Sequence, residues 1–218
     1  MEEHQIKELA QQLRKPTGEL GQKLGEKMNE SNRQINESTL ARLDLFPNAR
    51  VLEIGMGNGY FVPQILAAQA NVHYTGCDYA EEMITAAIQY NQKAVDDQRA
   101  TFHLTSAEQL PFEEHHFDRV FAINVLYFWE HPEQVLGEIK RVLKPQGTLT
   151  LAIRPKRSMQ TYAIAKYGFA MYDKEDLIHL LHENGFQFHL CFEEEEPDQT
   201  IEGTTLKIES LIVQATKR

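Results

Sequence analysis

Residues 51–61 read VLEIGMGNGYF, and this stretch decides the fold. Val51, Leu52 and Ile54 make a short apolar run that closes on a glycine, the pattern of a strand buried on both faces of a parallel sheet. Gly55-Met56-Gly57-Asn58-Gly59 follows, and a helix is predicted over residues 59–69. Glycines between a buried strand and a helix let the backbone turn sharply and come close to a ligand that side chains would hold off. Alone the turn is ambiguous, because many nucleotides are held on strand–glycine–helix units.

Downstream, strands and helices alternate. Strands are predicted at residues 72–77, 101–104, 118–125 and 148–153, with helices at 80–91 and 131–143. Met83, Ala87 and Tyr90 are spaced for one helix face, and Lys144-Pro145-Gln146-Gly147 reads as a stop after the second helix. This alternation argues for an α/β fold, a parallel sheet covered on both faces. Residues 186–192 and 206–215 read as two strands without a helix between them, so the sheet is expected to end in an antiparallel hairpin. The acidic run Glu193 to Glu196 reads as a solvated loop within the connection EEEEPDQTIEG.

Upstream, residues 1–45 form a polar helical arm distinct from the domain at 46–218. Ile6, Leu9, Ala10 and Leu13 share one face before Pro16 breaks the pattern. Leu20, Leu24 and Met28 then recur at every fourth position, with Gly18, Gly21 and Gly25 beside them. Each interior glycine costs a helix up to ~1 kcal/mol, so this second helix is weak unless something packs closely on its glycine face. The arm is either loosely attached or a lid that orders over a ligand.

The chain of 218 residues is 42% hydrophobic and 25% charged, enough to build a core in one large domain. Its formal charge of −10 makes it a poor general binder of phosphate backbones, so no nucleic-acid partner is expected. Two cysteines, Cys77 and Cys191, permit no disulfide framework or four-cysteine zinc site, and the histidines form no metal signature. The adjacent pair His115-His116, read as strand neighbours, would point to opposite faces. A polar start and the lack of any long apolar run predict no membrane span and a cytoplasmic protein. Oligomeric state is not legible.

Three further features sharpen the glycine turn. Asp78 closes the second strand, nineteen positions after Gly59, where a carboxylate can accept both hydroxyl protons of a ribose; it also suits the start of the next helix. Ser106-Ala107-Glu108 follows the third strand and points into the crevice where such sheets bind ligands. Asn124, in an apolar run ahead of Leu126-Tyr127-Phe128-Trp129, needs a partner for its amide.

In this order, VLEIGMGNGYF, GCDYAEEMI, SAEQLPF and FDRVFAINVLYFWEHPEQVLGEIKRVLKPQGTLTL resemble the class I S-adenosylmethionine-dependent methyltransferases. Among these they are most similar to the small-molecule branch that includes ubiquinone and menaquinone biosynthesis enzymes. The resemblance covers residues 50–153 well and the N-terminal arm weakly. It implies a Rossmann-like, doubly wound sheet of seven strands, mostly parallel with the last antiparallel, in three αβα layers. It also implies S-adenosylmethionine as the bound methyl donor, S-adenosylhomocysteine as product, no metal, and a small-molecule methyl acceptor as partner.

By the same resemblance, Glu53 and the turn Gly55, Met56, Gly57 and Gly59 hold the methionine portion. Asp78 takes the ribose, Tyr79 and Met83 flank the adenine, and Ser106, Ala107 and Glu108 stand at its edge. Asn124 lies near the sulfonium. The sequence departs from the usual pattern at Lys144-Pro145-Gln146-Gly147 and lacks the His pair that some relatives carry after the fourth strand. Specific acceptor chemistry therefore does not carry over.

A sulfonium methyl is already activated, so alignment and desolvation are the protein's main tasks and no base is obligatory. Were one needed, His131, Tyr127 and Glu130 stand nearest in sequence. Tyr127, Phe128 and Trp129 suit an aromatic wall for the acceptor, or simple packing. Residues 154–172 interrupt the alternation as a substrate-cover insertion, with Tyr162 and Tyr167 as its candidate contacts. Its basic cluster, Arg154, Lys156 and Arg157, is placed to meet an acidic acceptor or solvent.

Other readings fit less well. A nicotinamide dehydrogenase prefers G-x-G-x-x-G where this chain has G-x-G-x-G, and it needs a substrate domain. A non-catalytic S-adenosylmethionine-binding protein is compatible with the same residues. Methylation of nucleic acid or protein lacks an Asn-Pro-Pro-Tyr-type clamp, since Asn124-Val125-Leu126-Tyr127 stands at that place.

Overall fold

A computed structural model describes residues 2–201 and 204–218. Among these, seven strands form one sheet: β1 (Arg50–Ile54), β2 (His73–Asp78), β3 (Ala100–Leu104), β4 (Phe117–Ile123), β5 (Leu143–Ile153), β6 (Phe186–Ile201) and β7 (Thr204–Lys217). Their spatial order is β3-β2-β1-β4-β5-β7-β6. The first five run parallel, and β7 pairs antiparallel with both β5 and β6. Strand order reverses between β1 and β4, so a crevice opens at their carboxyl ends.

Nine helices accompany the sheet among the described residues: α1 (Glu3–Arg14), α2 (Gly18–Ser31), α3 (Arg33–Leu40), α4 (Val62–Ala68), α5 (Glu81–Tyr90), α6 (Gln92–Asp96), α7 (Pro132–Val142), α8 (Lys156–Met159) and α9 (Lys174–Glu183). Alternation along the buried strands sorts their side chains into two cores. Leu52, Val120 and Leu151 pack with Leu136 and Ile139 of α7 and Leu177 and Leu181 of α9. Val51, Phe121 and Ile212 pack on the other face with Ile35 of α3 and Val62 and Ile65 of α4. The result is the three-layer α/β arrangement.

The N-terminal helices pack in a way that residue type alone did not disclose. A Cβ at Gly21 would lie 2.7 Å from the Pro16 carbonyl carbon, and one at Gly25 would lie 3.4 Å from the Met83 sulfur. Close packing on the glycine face therefore offsets the intrinsic weakness of α2. Leu20, grouped with Leu24 by its spacing, is instead 49% exposed, because the buried side of α2 is made by Gly21 and Leu24. Tyr90 likewise points outward while Met83 and Ala87 are buried.

Four further expectations need correction. Residues 193–196 are not a solvated loop but part of β6, paired with Leu211 to Ile208 of β7. Glu196 is buried against Arg154, and Glu194 accepts hydrogen bonds from Ser38 and Arg42. Opposite charges just past β5 and α3, Arg154 and Arg42, let a polyanionic run remain in a strand. Within the acidic connection, residues 202 and 203 lie outside the described residues. Lys144 to Gly147 does not separate helix from strand, since β5 already begins at Leu143. The basic cluster is largely neutralised as well, with Arg154 on Glu196 and Arg157 on Glu193 and Glu209. His115 and His116 precede β4, with His115 at φ +56°, so strand alternation does not govern them.

Candidate functional site

A cavity of about 550 Å³ opens at the carboxyl ends of β1, β2 and β4, within the ~300–1,000 Å³ typical of small-molecule sites. Its floor is the glycine turn. Gly55, Gly57 and Gly59 all have positive φ, at +70°, +58° and +67°. A Cβ at Gly55 would stand 2.3 Å from Val125 Cγ1, so that glycine is needed for packing. At Gly57 a Cβ would meet nothing within 4 Å. The chain there borders open space at the cavity wall, a cradle suited to a ligand. Gly59 packs on Ala87 and Asn91 and does not line the cavity.

Asp78 ends β2 on the turn. Its Oδ2 accepts the Gly57 N–H at 3.1 Å and its Oδ1 accepts the Ala80 N–H at 2.9 Å. Each carboxylate oxygen retains acceptor capacity. Asp78 faces the cavity while holding the Ala80 N–H just ahead of α5, and it is not the helix N-cap, a place that Ala80 takes. Burial pushes its pKa up to about 6, against the lowering effect of the Ala80, Gly57 and Tyr79 N–H groups.

Glu53, facing the cavity from β1, accepts the Tyr74 hydroxyl at 2.6 Å. Burial raises its pKa from 4.5 to about 8, with the Asp78 charge adding to the rise and the Tyr74 hydrogen bond opposing it. The folded pKa lies above the unfolded one, so the stability this group contributes is fully present below pH ~4.5 and is lost as pH rises through about 8. Glu53→Gln, which cannot ionise, is expected to lose several degrees less melting temperature than the wild type between pH 5 and pH 8. Melting curves of both proteins in this window check it, and parallel curves would refute a protonated Glu53.

Asn124, just beyond β4, sits at φ +56°, a conformation that Asn tolerates better than most residues. Its Oδ1 accepts the Tyr127 hydroxyl at 2.8 Å and its Nδ2 donates to Asn32 Oδ1 at 3.2 Å. Glu53, Gly55, Met56, Gly57, Asp78, Tyr79, Met83, Ser106, Ala107, Glu108 and Asn124 all border this one cavity, as do Tyr127, Trp129 and Tyr162. His131 and Tyr167 do not. His131 is half-exposed at the start of α7 beside Glu133, and the Tyr167 ring lies under the Lys7 ammonium. The Tyr127 hydroxyl donates to Asn124 and accepts the Arg154 N–H, while burial raises its pKa above the usual phenol value. It is therefore poorly placed to act as a base.

The roof comes from the arm, whose side chains the sequence reading left unassigned: Arg14, Leu24, Met28, Asn29, Asn32 and Asn36 border the cavity. The one available signal was the recurrence of amides at 29, 32 and 36, a polar stripe on helical spacing beside Met28 and Ile35. Polar contacts hold the roof down. The Tyr79 hydroxyl donates to the Arg14 carbonyl, Arg14 pairs with Glu130, and the Gly18 N–H donates to Glu82 at 2.8 Å. Tyr127, Phe128 and Phe169 form an aromatic wall, with Phe128 and Phe169 centroids 4.8 Å apart. Arg154 completes the inner side. Among the described residues no group of three or more His, Cys, Asp or Glu side chains is arranged to hold a metal ion.

Comparison with known proteins extends this picture. Residues 52–151 match the family model described as a methyltransferase domain. The chain is 27% identical over 131 residues to the uncharacterized methyltransferase YdaC of Bacillus subtilis, covering 60% of this chain and 70% of that protein. It is 33% identical over 125 residues to the 27-O-demethylrifamycin SV methyltransferase of Amycolatopsis mediterranei, covering 57% of this chain and 45% of the relative. The chain thus spans less than half of that longer enzyme.

Two solved structures share the fold. A SAM-dependent methyltransferase from Aquifex aeolicus aligns with TM-score 0.67 at 17% identity, over 90% of this chain and 98% of that one. Geranyl diphosphate C-methyltransferase from Streptomyces coelicolor, solved with Mg2+, geranyl diphosphate and S-adenosyl-L-homocysteine, aligns with TM-score 0.69 at 10% identity, over 86% and 77%. The glycine turn, Asp78 and the β4 end that carries Asn124 all fall inside the segment that matches the methyltransferase-domain model.

Proposed function

We propose that this protein transfers the methyl group of S-adenosylmethionine to a small-molecule acceptor bound in the same cavity. One observation carries the reading: Glu53, the open Gly57 backbone and Asp78 converge on one side of a cavity whose other side is aromatic and roofed by the arm. When bound, S-adenosylmethionine supplies a methyl already activated on its sulfonium. Glu53 faces the ammonium of the methionine portion, and Asp78 receives the ribose hydroxyls. Tyr79 and Met83 bracket the adenine, with Ser106, Ala107 and Glu108 at its edge.

The acceptor sits against Tyr127, Trp129 and Tyr162. Of the N-terminal arm, α1 and α2 act as a lid that closes with the cover segment at 154–172 and excludes water. The polar contacts that hold α1 and α2 suit repeated opening, since exposed ion pairs contribute only ~0–1 kcal/mol each. A cytoplasmic setting is part of the proposal and agrees with the two unpaired cysteines.

Calorimetric titration tests it. Saturable, micromolar-range binding of S-adenosylmethionine and S-adenosylhomocysteine is expected. Binding of NAD with no response to either would return the dehydrogenase reading.

A further inference from the structure

The hydrogen-bond pattern around Asn124 fixes which end of its amide faces the ligand. The Tyr127 hydroxyl accepts the backbone N–H of Arg154, and a backbone N–H can only donate. The hydroxyl proton is therefore left to point elsewhere, and it points to Asn124 at 2.8 Å. The Asn124 atom that receives it must be oxygen, so Nδ2, a pure donor, is turned toward the cavity. There it meets Asn32 Oδ1, at the joint between α2 and α3 in the roof.

Among the described residues the carboxylates that border the cavity are Glu53 and Asp78 beside the glycine turn, Glu130 paired with Arg14, and exposed Glu108, while the buried Tyr162 hydroxyl has no hydrogen-bond partner but a pKa that burial raises. Among the described residues no histidine lines it. Glu53 is engaged by Tyr74, and Asp78 by Gly57 and Ala80. The charges at the acceptor end are paired, Arg14 with Glu130 and Arg154 with Glu196. Glu108 is solvent-exposed after β3, and the Tyr79 and Tyr127 hydroxyls are both committed. An acceptor that arrives as an oxyanion needs no base, whereas a neutral alcohol or a protonated amine would have to shed its proton first.

We propose that the acceptor is an apolar-bodied oxygen acid, a carboxylic acid, acidic phenol or enol already ionised at neutral pH, and that Asn124 Nδ2 donates to its oxyanion. Tyr127 is the positioning residue that holds the amide in this orientation. The inference rests on the methyl-transfer reading above. In the step it describes, a lone pair of the oxyanion forms the new O–CH3 bond while the S–CH3 bond breaks onto sulfur. The products are an ester or ether and S-adenosylhomocysteine, and no proton has to leave.

The test uses three ligands with one body. The full chain, saturated with S-adenosylhomocysteine, is titrated calorimetrically with 2-naphthoate, 2-naphthamide and 2-naphthylmethylamine. Naphthoate is expected to bind at least ~10-fold more tightly than the other two, the range of a hydrogen bond to a charged group. Asn124→Asp tolerates the same backbone conformation but replaces the donor with a carboxylate oxygen. It is expected to abolish the preference when titrated at S-adenosylhomocysteine concentrations that saturate the variant itself. Tyr127→Phe, which frees the amide to flip, is expected to reduce the preference severalfold.

Equal or tighter binding of the amide or amine overturns the inference. So does a preference that survives Asn124→Asp, or a failure of all three ligands to bind the loaded protein. Failure of S-adenosylhomocysteine itself to bind would overturn the methyl-transfer reading, and this inference with it.

Discussion

Asp78→Ala is expected to weaken S-adenosylmethionine binding by roughly 100-fold or more, since hydrogen bonds to a charged acceptor contribute ~1.5–3 kcal/mol each and a ribose diol would make two. The substitution also removes the acceptor for the Gly57 and Ala80 N–H groups, so the glycine turn loses its anchor together with the ligand contact. Asp78→Asn separates the two effects. An amide keeps one oxygen for the backbone but offers the ribose a donor in place of an acceptor. Calorimetric titration of both variants should show Asn recovering part of the melting temperature and little of the affinity. Wild-type affinity in Asp78→Ala would remove Asp78 from the proposed site.

Arg154→Met is expected to cost about 3–5 kcal/mol of folding stability, the range found when one partner of a buried ion pair is removed. The Arg154 and Glu196 side chains are 8% and 2% exposed, so the glutamate would be stranded without its counter-charge. At ~2–4 °C per kcal/mol for a chain of this size, the melting temperature should fall by roughly 6–20 °C. Arg154→Met combined with Glu196→Leu removes both charges and should restore most of the loss, because an apolar pair of similar volume often replaces a buried ion pair at little cost. Thermal unfolding of the single and double variants decides this, and a double variant no more stable than the single would refute the pairing energetics.

That pair also marks where reading the sequence stopped short. The parallel strands were legible because burial on both faces leaves short apolar runs such as Val51 to Ile54, and the glycine turn was legible because its backbone conformation is written in residue type. Asp78 and Asn124 could be placed because they stand at or just past strand ends, and Glu108 because it lies in the turn after β3. Glu193 to Glu196 gave the opposite signal: four carboxylates in a row read as solvent-facing until Arg42, Arg154 and Arg157 arrive from distant segments to pair with Glu194, Glu196 and Glu193. Long-range charge pairing leaves no local periodicity.

The roof was hidden for a related reason. Gly21 and Gly25 look like defects in a helix, and only the approach of Pro16 and Met83 turns them into a packing surface. His131 and Tyr167 were reasonable by sequence distance, but the start of α7 and the turn after α8 carry them away from the cavity.

The division between floor and roof has a consequence for how such a protein can diverge. The floor belongs to strand ends and a glycine turn woven into the sheet, whereas α1 and α2 reach the cavity with side chains anchored mainly by surface contacts. Only at α3, where Ile35 and Thr39 are fully buried, does the N-terminal chain become part of the core. Apart from the buried strip of Ala10, Gly21 and Leu24, mutations in the first two helices can therefore reshape the cavity roof without touching the core of the sheet. The scaffold behaves as an interchangeable two-part tool, with a cavity floor held nearly constant by the sheet and a roof freer to drift.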